Sequence, residues 1–203
     1  LKIIILTDGN SKNSALGEID TLKFLSNFPA CNKYIVCYYD SFIENNGFGD
    51  ILFLVSEYIN GTILQDYITG NLFMSSTVLL SIIYGLVNGL MYIHEKGYAH
   101  GDIKPDNIII TADGNVKYID FGLACTQNCI SPDCNNSCSV LRVMSAIYTS
   151  PDYYRSDTRN VQIAQSNDVW SLGLVLYQLA NIAALPFDYS SDRDTLRANI
   201  LSA

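Results

Sequence analysis

Positive charge is scarce in this chain. Of its 203 residues, 12 are Lys or Arg and 20 are Asp or Glu, so the formal net charge at pH 7 is −8. A protein that binds nucleic acid needs a basic face to contact phosphates, and this balance argues against that class. Charged residues make up only 16% of the chain and apolar residues 49%, a composition that excludes intrinsic disorder.

The sequence also lacks a recognisable targeting segment. The apolar run Leu1–Leu6 has no basic segment before it and ends at once in a polar turn. The longest apolar stretch, Val169–Leu185, is interrupted by Ser, Gln and Asn and falls short of the ~20 residues that a spanning helix needs. We therefore expect an intracellular, cytoplasmic protein with no membrane partner. Because the chain begins without Met, we expect it to be a piece of a longer protein.

Hydrophobic periodicity predicts a strand-rich beginning followed by a helical remainder. The predicted strands are Lys2–Leu6, Tyr34–Phe42, Ile51–Glu57, Asn107–Thr111 and Val116–Ile119. The predicted helices are Ser14–Asn27 with Ser14 as its N-cap, Gln65–Ile68, Ser76–Lys96 and Asn167–Ala184, with an irregular stretch at Leu123–Gln165. This order of elements predicts an α+β fold whose two parts join near Tyr58–Gly61.

Six cysteines fall into two groups. Cys31 and Cys37 lie among apolar residues, and we interpret them as inert core residues. The other four have the spacing C-x3-C-x4-C-x3-C, at Cys125, Cys129, Cys134 and Cys138. Zinc sites favour closer pairs separated by a longer interval, so this spacing is a weak metal signal. A metal site, a regulatory disulfide and a loop of reduced thiols all remain open.

The residues suited to chemistry are concentrated in His100–Asn107, with the sequence HGDIKPDN, and in Asp120–Gly122, with the sequence DFG. Asp102, Asn107 and Asp120 offer two carboxylates and an amide oxygen, hard ligands that suit Mg²⁺ or proton acceptance. The lysine of the first motif offers a point charge for a phosphate oxygen. The proline that follows it excludes a helix, so these side chains project from a loop between rigid elements.

These two motifs resemble those of the eukaryotic-type protein kinases. The pattern H-x-D-x-K-P-x-x-N followed by D-F-G is a joint signature, far more specific than either part. Ser150–Asp152 stands where that family has Ala-Pro-Glu, and Asp168–Gly173 resembles the start of its large buried helix. Val55–Gly61 resembles its hinge, and Leu1–Ile4 resembles the strand with the ATP-binding lysine. The resemblance covers essentially the whole chain and implies the Ser/Thr type.

The resemblance implies a two-lobed, kinase-like α+β fold that forms one kinase domain. Residues 1–58 would form a partial N-lobe, with the lysine strand, the helix called αC in that family and a hairpin. Residues 59–203 would form a partial, mainly helical C-lobe with the catalytic loop. The family's Gly-rich phosphate loop and last C-lobe helices have no counterpart here, so we expect a domain truncated at both ends and inactive in isolation.

The resemblance also implies which residues bind ATP. Lys2 would hold the α- and β-phosphates and pair with Glu18. Glu57 and Ile59 would offer a backbone carbonyl and N–H to the adenine, and Ile109 would lie beneath the ring. Each of these residues is assigned by its place in the family's pattern.

The resemblance also assigns residues to the chemical step. Asp102 would accept the proton of a Ser or Thr hydroxyl on a protein substrate, and Asn107 and Asp120 would ligate Mg²⁺ or Mn²⁺. Lys104 would neutralise charge on the transferring phosphoryl group, with a hydrogen bond from Ser145. Phosphoryl transfer needs little covalent help beyond such positioning and charge neutralisation.

One departure from the family's pattern raises alternatives. Gly101 replaces the family's usual Arg before the catalytic Asp, so the grip on a phosphorylated activation loop is missing. His-Gly-Asp followed by Asn is typical of kinase-like small-molecule phosphotransferases, such as aminoglycoside and choline kinases. Those families usually lack the Lys-Pro, the full DFG and a segment like Ser150–Asp152. A pseudokinase scaffold is a second alternative, against which the intact motif residues argue.

Overall fold

The computed structural model describes residues 1–70, 75–127, 137–138, 145–157, 160–181, 184–190 and 192–202. Its first part is a three-stranded antiparallel sheet with one helix packed on it. The strands are β1 (Lys2–Leu6), β2 (Tyr38–Asn45) and β3 (Asp50–Ser56), in the order β1-β3-β2, and the helix is α1 (Gly9–Ser26). The predicted first strand and hairpin are confirmed, although β2 begins at Tyr38 rather than Tyr34.

The second part is mainly helical and carries two small sheets. Its helices are α2 (Leu64–Thr69), α3 (Ser76–Glu95), α4 (Pro151–Arg155), α5 (Val161–Ala180) and α6 (Arg193–Ser202). Its strands are β4 (Gly61–Ile63), β5 (Tyr98–Ala99), β6 (Ile108–Thr111), β7 (Val116–Tyr118) and β8 (Cys125–Thr126), paired as β4-β6-β7 and β5-β8. One apolar core runs through both parts. The predicted α+β fold is confirmed.

Helix α1 begins earlier than its apolar pattern predicted. Asp8 is the N-cap, because its carboxylate accepts a hydrogen bond from Ser11 N at 2.7 Å while Asp8 N donates to Ser11 Oγ at 3.0 Å. This reciprocal capping box satisfies backbone N–H groups that the first turn leaves without helical partners. The prediction of Ser14 as N-cap is therefore wrong, since the first turn is polar and shows no apolar period.

Helix α3 has one buried face. Ile82, Leu86, Leu90 and Ile93 are buried at the predicted helical spacing. Among the described residues, this is also the one helix that is long and apolar enough to cross a membrane. That finding corrects the expectation that no stretch reaches this length, although it is weak evidence for a membrane span because core helices meet the same criterion.

Helix α5 extends further toward its N-terminus than the sequence pattern indicated. Its N-cap is Asn160, whose side chain accepts a hydrogen bond from Ile163 N at 2.9 Å, whereas a start at Asn167 was predicted. The first turns are rich in Gln, Ser and Asn, so their helical period is hidden in the sequence. The stretch predicted to be irregular contains β8, α4 and a 3-10 turn at Ala146–Tyr148, and its apolar segment 140–144 lies outside the described residues.

Two disulfides correct the interpretation of the cysteines. Cys31 is bonded to Cys37, and Cys125 is bonded to Cys138. The Cα atoms of the two pairs are 5.3 and 4.9 Å apart, which is within the range that a disulfide spans. Cys31 and Cys37 are therefore cross-linked to each other, whereas the sequence was interpreted as giving two inert core residues. The remaining two cysteines of the predicted cluster, at 129 and 134, lie outside the described residues.

Candidate active site

A cavity of about 480 Å³ lies where the sheet and α1 meet the second part of the chain. Its apolar lining comes from both parts: Leu1, Leu22, Val36, Leu54, Ile59, Ile109 and Ile119. The five residues that sequence analysis assigned to ATP binding all line it, together with Asp120, which was assigned to the metal ion: Lys2, Glu18, Glu57, Ile59, Ile109 and Asp120. An apolar cleft with a few convergent charged groups is the usual form of a small-molecule site.

Three charged side chains meet at one end of this cavity. Lys2 projects from β1, and its Nζ lies 2.7 Å from Glu18 Oε1 on α1 and 2.9 Å from Asp120 Oδ1. Glu18 is almost fully buried, whereas the side chains of Lys2 and Asp120 are 42% and 48% exposed. The pairing of Lys2 with Glu18 is the one predicted from the sequence. The structure adds Asp120 as a second partner that faces the open cavity.

The electrostatics of this cluster favour the ionised forms of Lys2 and Asp120, whereas burial raises the pKa of the Glu18 carboxyl. Burial lowers the pKa of Lys2, but the two adjacent carboxylates outweigh burial and leave that pKa raised. Burial raises the pKa of Asp120, and the Lys2 ammonium outweighs it, so this pKa lies below its ordinary value. At neutral pH the cavity therefore presents a fixed ammonium group and an ionised, half-exposed carboxylate. This arrangement suits an anionic ligand accompanied by a cation.

The second cluster is formed by the loop that contains the HGDIKPDN motif. Lys104 Nζ lies 2.7 Å from Asp102 Oδ2 and donates to Ser145 Oγ at 2.9 Å. Ser145 in turn donates to Asp102 Oδ1 at 2.7 Å. Burial raises the pKa of the Asp102 carboxyl, but hydrogen bonds from Lys104 and Ser145 lower it to a net value below the ordinary one. Asp102 is therefore an ionised carboxylate held in a fixed orientation, a geometry suited to proton acceptance.

Asn107 completes this loop. It ends a 3-10 turn that begins at Pro105, and its side chain is buried. Its Nδ2 donates to both the backbone oxygen and Oδ2 of Asp102, each at 2.9 Å. Because the amide donors are fixed in this way, Oδ1 is turned away from Asp102. Among the described residues, Oδ1 accepts no hydrogen bond, which leaves it available to a ligand.

The backbone of the HGDIKPDN loop, called the catalytic loop below, is held by a buried residue to which sequence analysis assigned no role. Asp168 on α5 is fully buried, and its carboxylate accepts hydrogen bonds from His100 N at 2.7 Å and Gly101 N at 2.9 Å. Its Oδ2 also lies 3.0 Å from His94 Nε2 on α3. His94 thereby joins α3 to this network. A buried carboxylate far along the chain gives no local signal of such contacts.

His100 supports the loop without facing a ligand. It is fully buried, with Nε2 3.2 Å from Ile119 O, and its ring lies against Phe121 with centroids 4.7 Å apart. Burial lowers the pKa of its imidazole, so the ring is neutral at pH 7. Asp102 N donates to Nδ1 at 3.3 Å, which fits that neutral form. In this environment His100 packs beneath the loop and faces no ligand.

A second contact missed from the sequence fixes the wall of the cavity. Lys117 on β7 lies 2.6 Å from Glu57 Oε1, and both side chains are 15% exposed. The same ammonium donates to Ile35 O at 3.2 Å, and Glu57 N donates to Cys37 O at 2.9 Å. Glu57 is therefore fixed by its side chain as well as by its backbone. Nothing in the VKYIDFG stretch marks this partner in advance.

Comparison with known proteins identifies the family of this arrangement. The family model described as protein kinase domain matches residues 1–202. Maternal embryonic leucine zipper kinase of Danio rerio is 34% identical over 172 residues, which cover 84% of this chain and 23% of that protein. Serine/threonine-protein kinase cds1 of Schizosaccharomyces pombe is 32% identical over 192 residues, 93% of this chain and 38% of that protein.

A bacterial relative shows the same similarity. Serine/threonine-protein kinase PrkC of Bacillus subtilis is 34% identical over 142 residues, 70% of this chain and 20% of that protein. The chain thus spans between about a fifth and two fifths of the length of these relatives. Its cavity, its paired Lys2 and Glu18 and its HGDIKPDN loop occur within the matched region. The chain belongs to the protein kinase domain family.

Proposed function

We propose that this protein transfers the γ-phosphoryl group of ATP to Ser or Thr hydroxyls of proteins, with Mg²⁺ or Mn²⁺ as cofactor. The observation that carries the proposal is the pair of clusters around Lys2 and Asp102, one able to hold phosphate and the other able to accept a proton. An ATP-dependent reaction draws on the nucleotide pool of the cell interior, which favours a cytoplasmic protein. The net charge of −8 favours protein over nucleic-acid substrates.

In this proposal the cavity holds the nucleotide. The ammonium of Lys2 binds the α- and β-phosphates, and Glu18 keeps that side chain directed into the cavity. The backbone of Glu57 and Ile59 forms the adenine edge, and Ile109 provides an apolar surface for the ring. Hydrogen bonds fix the orientation of the base while apolar contact supplies affinity, as in most nucleotide-sized pockets.

Asn107 and Asp120 fit a divalent cation of the Mg²⁺ type. Their side chains offer an amide oxygen and a half-exposed carboxylate, and Mg²⁺ prefers a small number of such oxygens together with phosphate and water. The Oδ1 of Asn107 accepts no hydrogen bond among the described residues, as expected for a ligand atom. When bound, the cation would neutralise phosphate charge. The ammonium of Lys2 keeps Asp120 ionised and therefore able to bind it.

At the acceptor side, Asp102 takes the proton of the incoming hydroxyl. Lys104 and Ser145 hold both of its oxygens, so the carboxylate is oriented before substrate binds. Lys104 then lies beside the transferring group, where its charge offsets the charge of the phosphoryl oxygens. Lys at this position, together with the names of the relatives cds1 and PrkC, supports Ser/Thr rather than Tyr as acceptor.

The test is phosphoryl transfer and nucleotide binding by full-length wild type and Asp120→Asn. We expect wild type to label Ser or Thr of protein substrates, and Asp120→Asn to lose metal-dependent ATP binding because a neutral amide binds a divalent cation more weakly than the carboxylate that it replaces. Binding is measured by calorimetry with and without Mg²⁺. The matched control is Asp66→Asn on the exposed face of α2, which should bind ATP like wild type.

The alternatives make different predictions in the same assay. Phosphate that appears on an aminoglycoside or choline, and on no protein, would assign the site to small-molecule transfer. ATP binding without turnover on any acceptor would assign it to a pseudokinase. Unchanged metal-dependent binding in Asp120→Asn would remove that residue from the cation site.

A further inference from the structure

The chain that follows the DFG motif crosses directly over the loop that carries Asp102. At this crossing Gly101 has φ +80°, and a Cβ atom built on it would lie 2.4 Å from Leu123 O. A side chain at position 101 would therefore require this backbone to move. Because Gly101 sits between His100 and Asp102, the path of the segment after DFG and the geometry of the catalytic loop are coupled through backbone contact.

The same segment is then tied down by a short strand pair. Strand β8 pairs with β5: Cys125 lies opposite Ala99, and Thr126 lies opposite Tyr98. Strand β8 is therefore joined to the residues that lead into His100. Thr126 Oγ1 donates to Gly97 O at 2.8 Å. A two-residue strand pair of this kind is weak without further support. The β5–β8 pair therefore needs support from the chain on the side of β8 that faces away from β5.

A disulfide supplies that support. Cys125 is bonded to Cys138, and Cys138 N donates to Thr126 O at 3.2 Å, so the returning chain lies against β8. Both cysteines are 5% exposed and form a small buried cluster with side chains from β5 and α5: Ala99, Val161 and Ala164. The disulfide thus cross-links two parts of the segment after DFG, and the buried cluster around it packs this cross-link against β5, which leads into the HGDIKPDN loop, and against α5, the helix that carries Asp168.

We propose that the Cys125–Cys138 disulfide is a redox-sensitive strap that keeps the segment after DFG on the catalytic loop, so that its reduction lowers kinase activity. The activity part of this inference rests on the proposed function. Gly101 has no side chain with which to hold the segment, and β8 is held by its pairing with β5, by the hydrogen bond of Thr126 to Gly97 and by the buried cluster around the disulfide. The disulfide links two residues 13 positions apart and so lowers the conformational entropy of the segment. Reduction of the bond would restore that entropy.

The redox step is an exchange with a dithiol reductant. One thiolate of the dithiol attacks a sulfur of the pair, the S–S bond breaks, and the other cysteine leaves as a thiolate that takes up a proton. The second thiol of the reductant then releases the remaining cysteine and closes its own disulfide. Two electrons and two protons pass to Cys125 and Cys138. Since both cysteines are buried, reduction follows local opening of the segment. Disulfides that form in the cytosol are usually transient and are catalytic or redox-sensing.

The experiment compares full-length wild type, Cys125→Ser/Cys138→Ser and Cys31→Ser/Cys37→Ser before and after long incubation with dithiothreitol. Peptide mass spectrometry identifies which bonds are open. We expect reduction to lower wild-type kcat/KM for a protein substrate at least fivefold, and reoxidation to restore it. The Cys125/Cys138 variant should be low throughout and unresponsive. The Cys31/Cys37 variant, which removes the other disulfide, should keep the response to reductant.

Amide hydrogen exchange provides a readout that does not depend on turnover. Reduction should remove the protection of the β5–β8 amides at Tyr98–Ala99 and Cys125–Thr126 while α3 stays protected. Unchanged protection there would overturn the proposal whether or not the protein phosphorylates anything. Lost protection without any kinase activity in the oxidised protein would instead contradict the proposed function. Equal or higher activity after verified reduction would also overturn the strap, as would a response that disappears with Cys31 and Cys37.

Discussion

Replacing Asp102 with Asn should lower kcat by at least two to three orders of magnitude and leave ATP affinity within about threefold of wild type. The amide keeps the size of the side chain but cannot accept the proton of the substrate hydroxyl at neutral pH. Asp102 belongs to the loop cluster with Lys104 and Ser145 and does not line the nucleotide cavity. The loss should therefore appear in kcat, measured at saturating ATP, with nucleotide binding measured by calorimetry.

Two comparisons make this result specific to proton acceptance. Asp66→Asn makes the same chemical change at an exposed site on α2 and should leave kcat unchanged. Ser145→Ala removes one hydrogen bond that lowers the Asp102 pKa, so it should move the acid limb of the kcat profile to higher pH while activity at the plateau is largely retained. Turnover of Asp102→Asn close to wild type would show that another group accepts the proton.

The sequence was sufficient for the parts of the site that are carried by contiguous motifs. The HGDIKPDN and DFG stretches are short and contiguous, so their residue types and their resemblance to the family's motifs were enough to select Asp102, Asn107 and Asp120 as site residues. The pairing of Lys2 with Glu18 was also predicted, from the place of both residues in the family's pattern, and the structure brings them together across β1 and α1. Within these motifs, residues that are neighbours in the sequence are also neighbours in the structure.

Contacts between distant elements could not be predicted in this way. Asp168 reaches the catalytic loop from 68 positions away, and Lys117 reaches Glu57 from a strand that carries no unusual pattern. The first is a buried carboxylate that accepts backbone hydrogen bonds and the second is a largely buried salt bridge, and in both the partners are fixed by packing rather than by spacing. The disulfide of Cys125 with Cys138 was left open for the same reason, since four cysteines allow several pairings and geometry selects among them.

The start of α1 shows how a polar turn hides a helix. Its first turn has no apolar residue, so periodicity begins only at Ala15 and Leu16, and the capping box of Asp8 with Ser11 defines the true start. This affects the site because α1 carries Glu18. A helix that begins at position 9 has completed two turns before Glu18, so that residue is held in regular helix rather than in a fraying first turn.

Removing Asp168 should cost more stability than removing any exposed carboxylate of the chain. In Asp168→Ala the N–H groups of His100 and Gly101 remain buried with no acceptor, and each such group costs about 1–3 kcal/mol. His94 also loses its partner on α5. We expect the free energy of unfolding, measured by urea titration, to fall by about 2–6 kcal/mol, and the Asp66→Ala control to change it by less than about 0.5 kcal/mol.

Asp168→Asn separates the stability of the loop from its role in catalysis. The amide oxygen can replace one carboxylate oxygen, but its NH₂ group then faces a backbone donor, so one of the two loop N–H groups stays unsatisfied. The protein should therefore remain folded, with a smaller loss of stability than Asp168→Ala. Its kcat should still fall by about tenfold or more, because Gly101 adjoins Asp102 and a loosened loop misplaces that carboxylate. ATP affinity should stay near wild type, since Asp168 lies outside the nucleotide cavity. A folded Asp168→Asn protein with wild-type kcat would show that α5 supports the loop without orienting it.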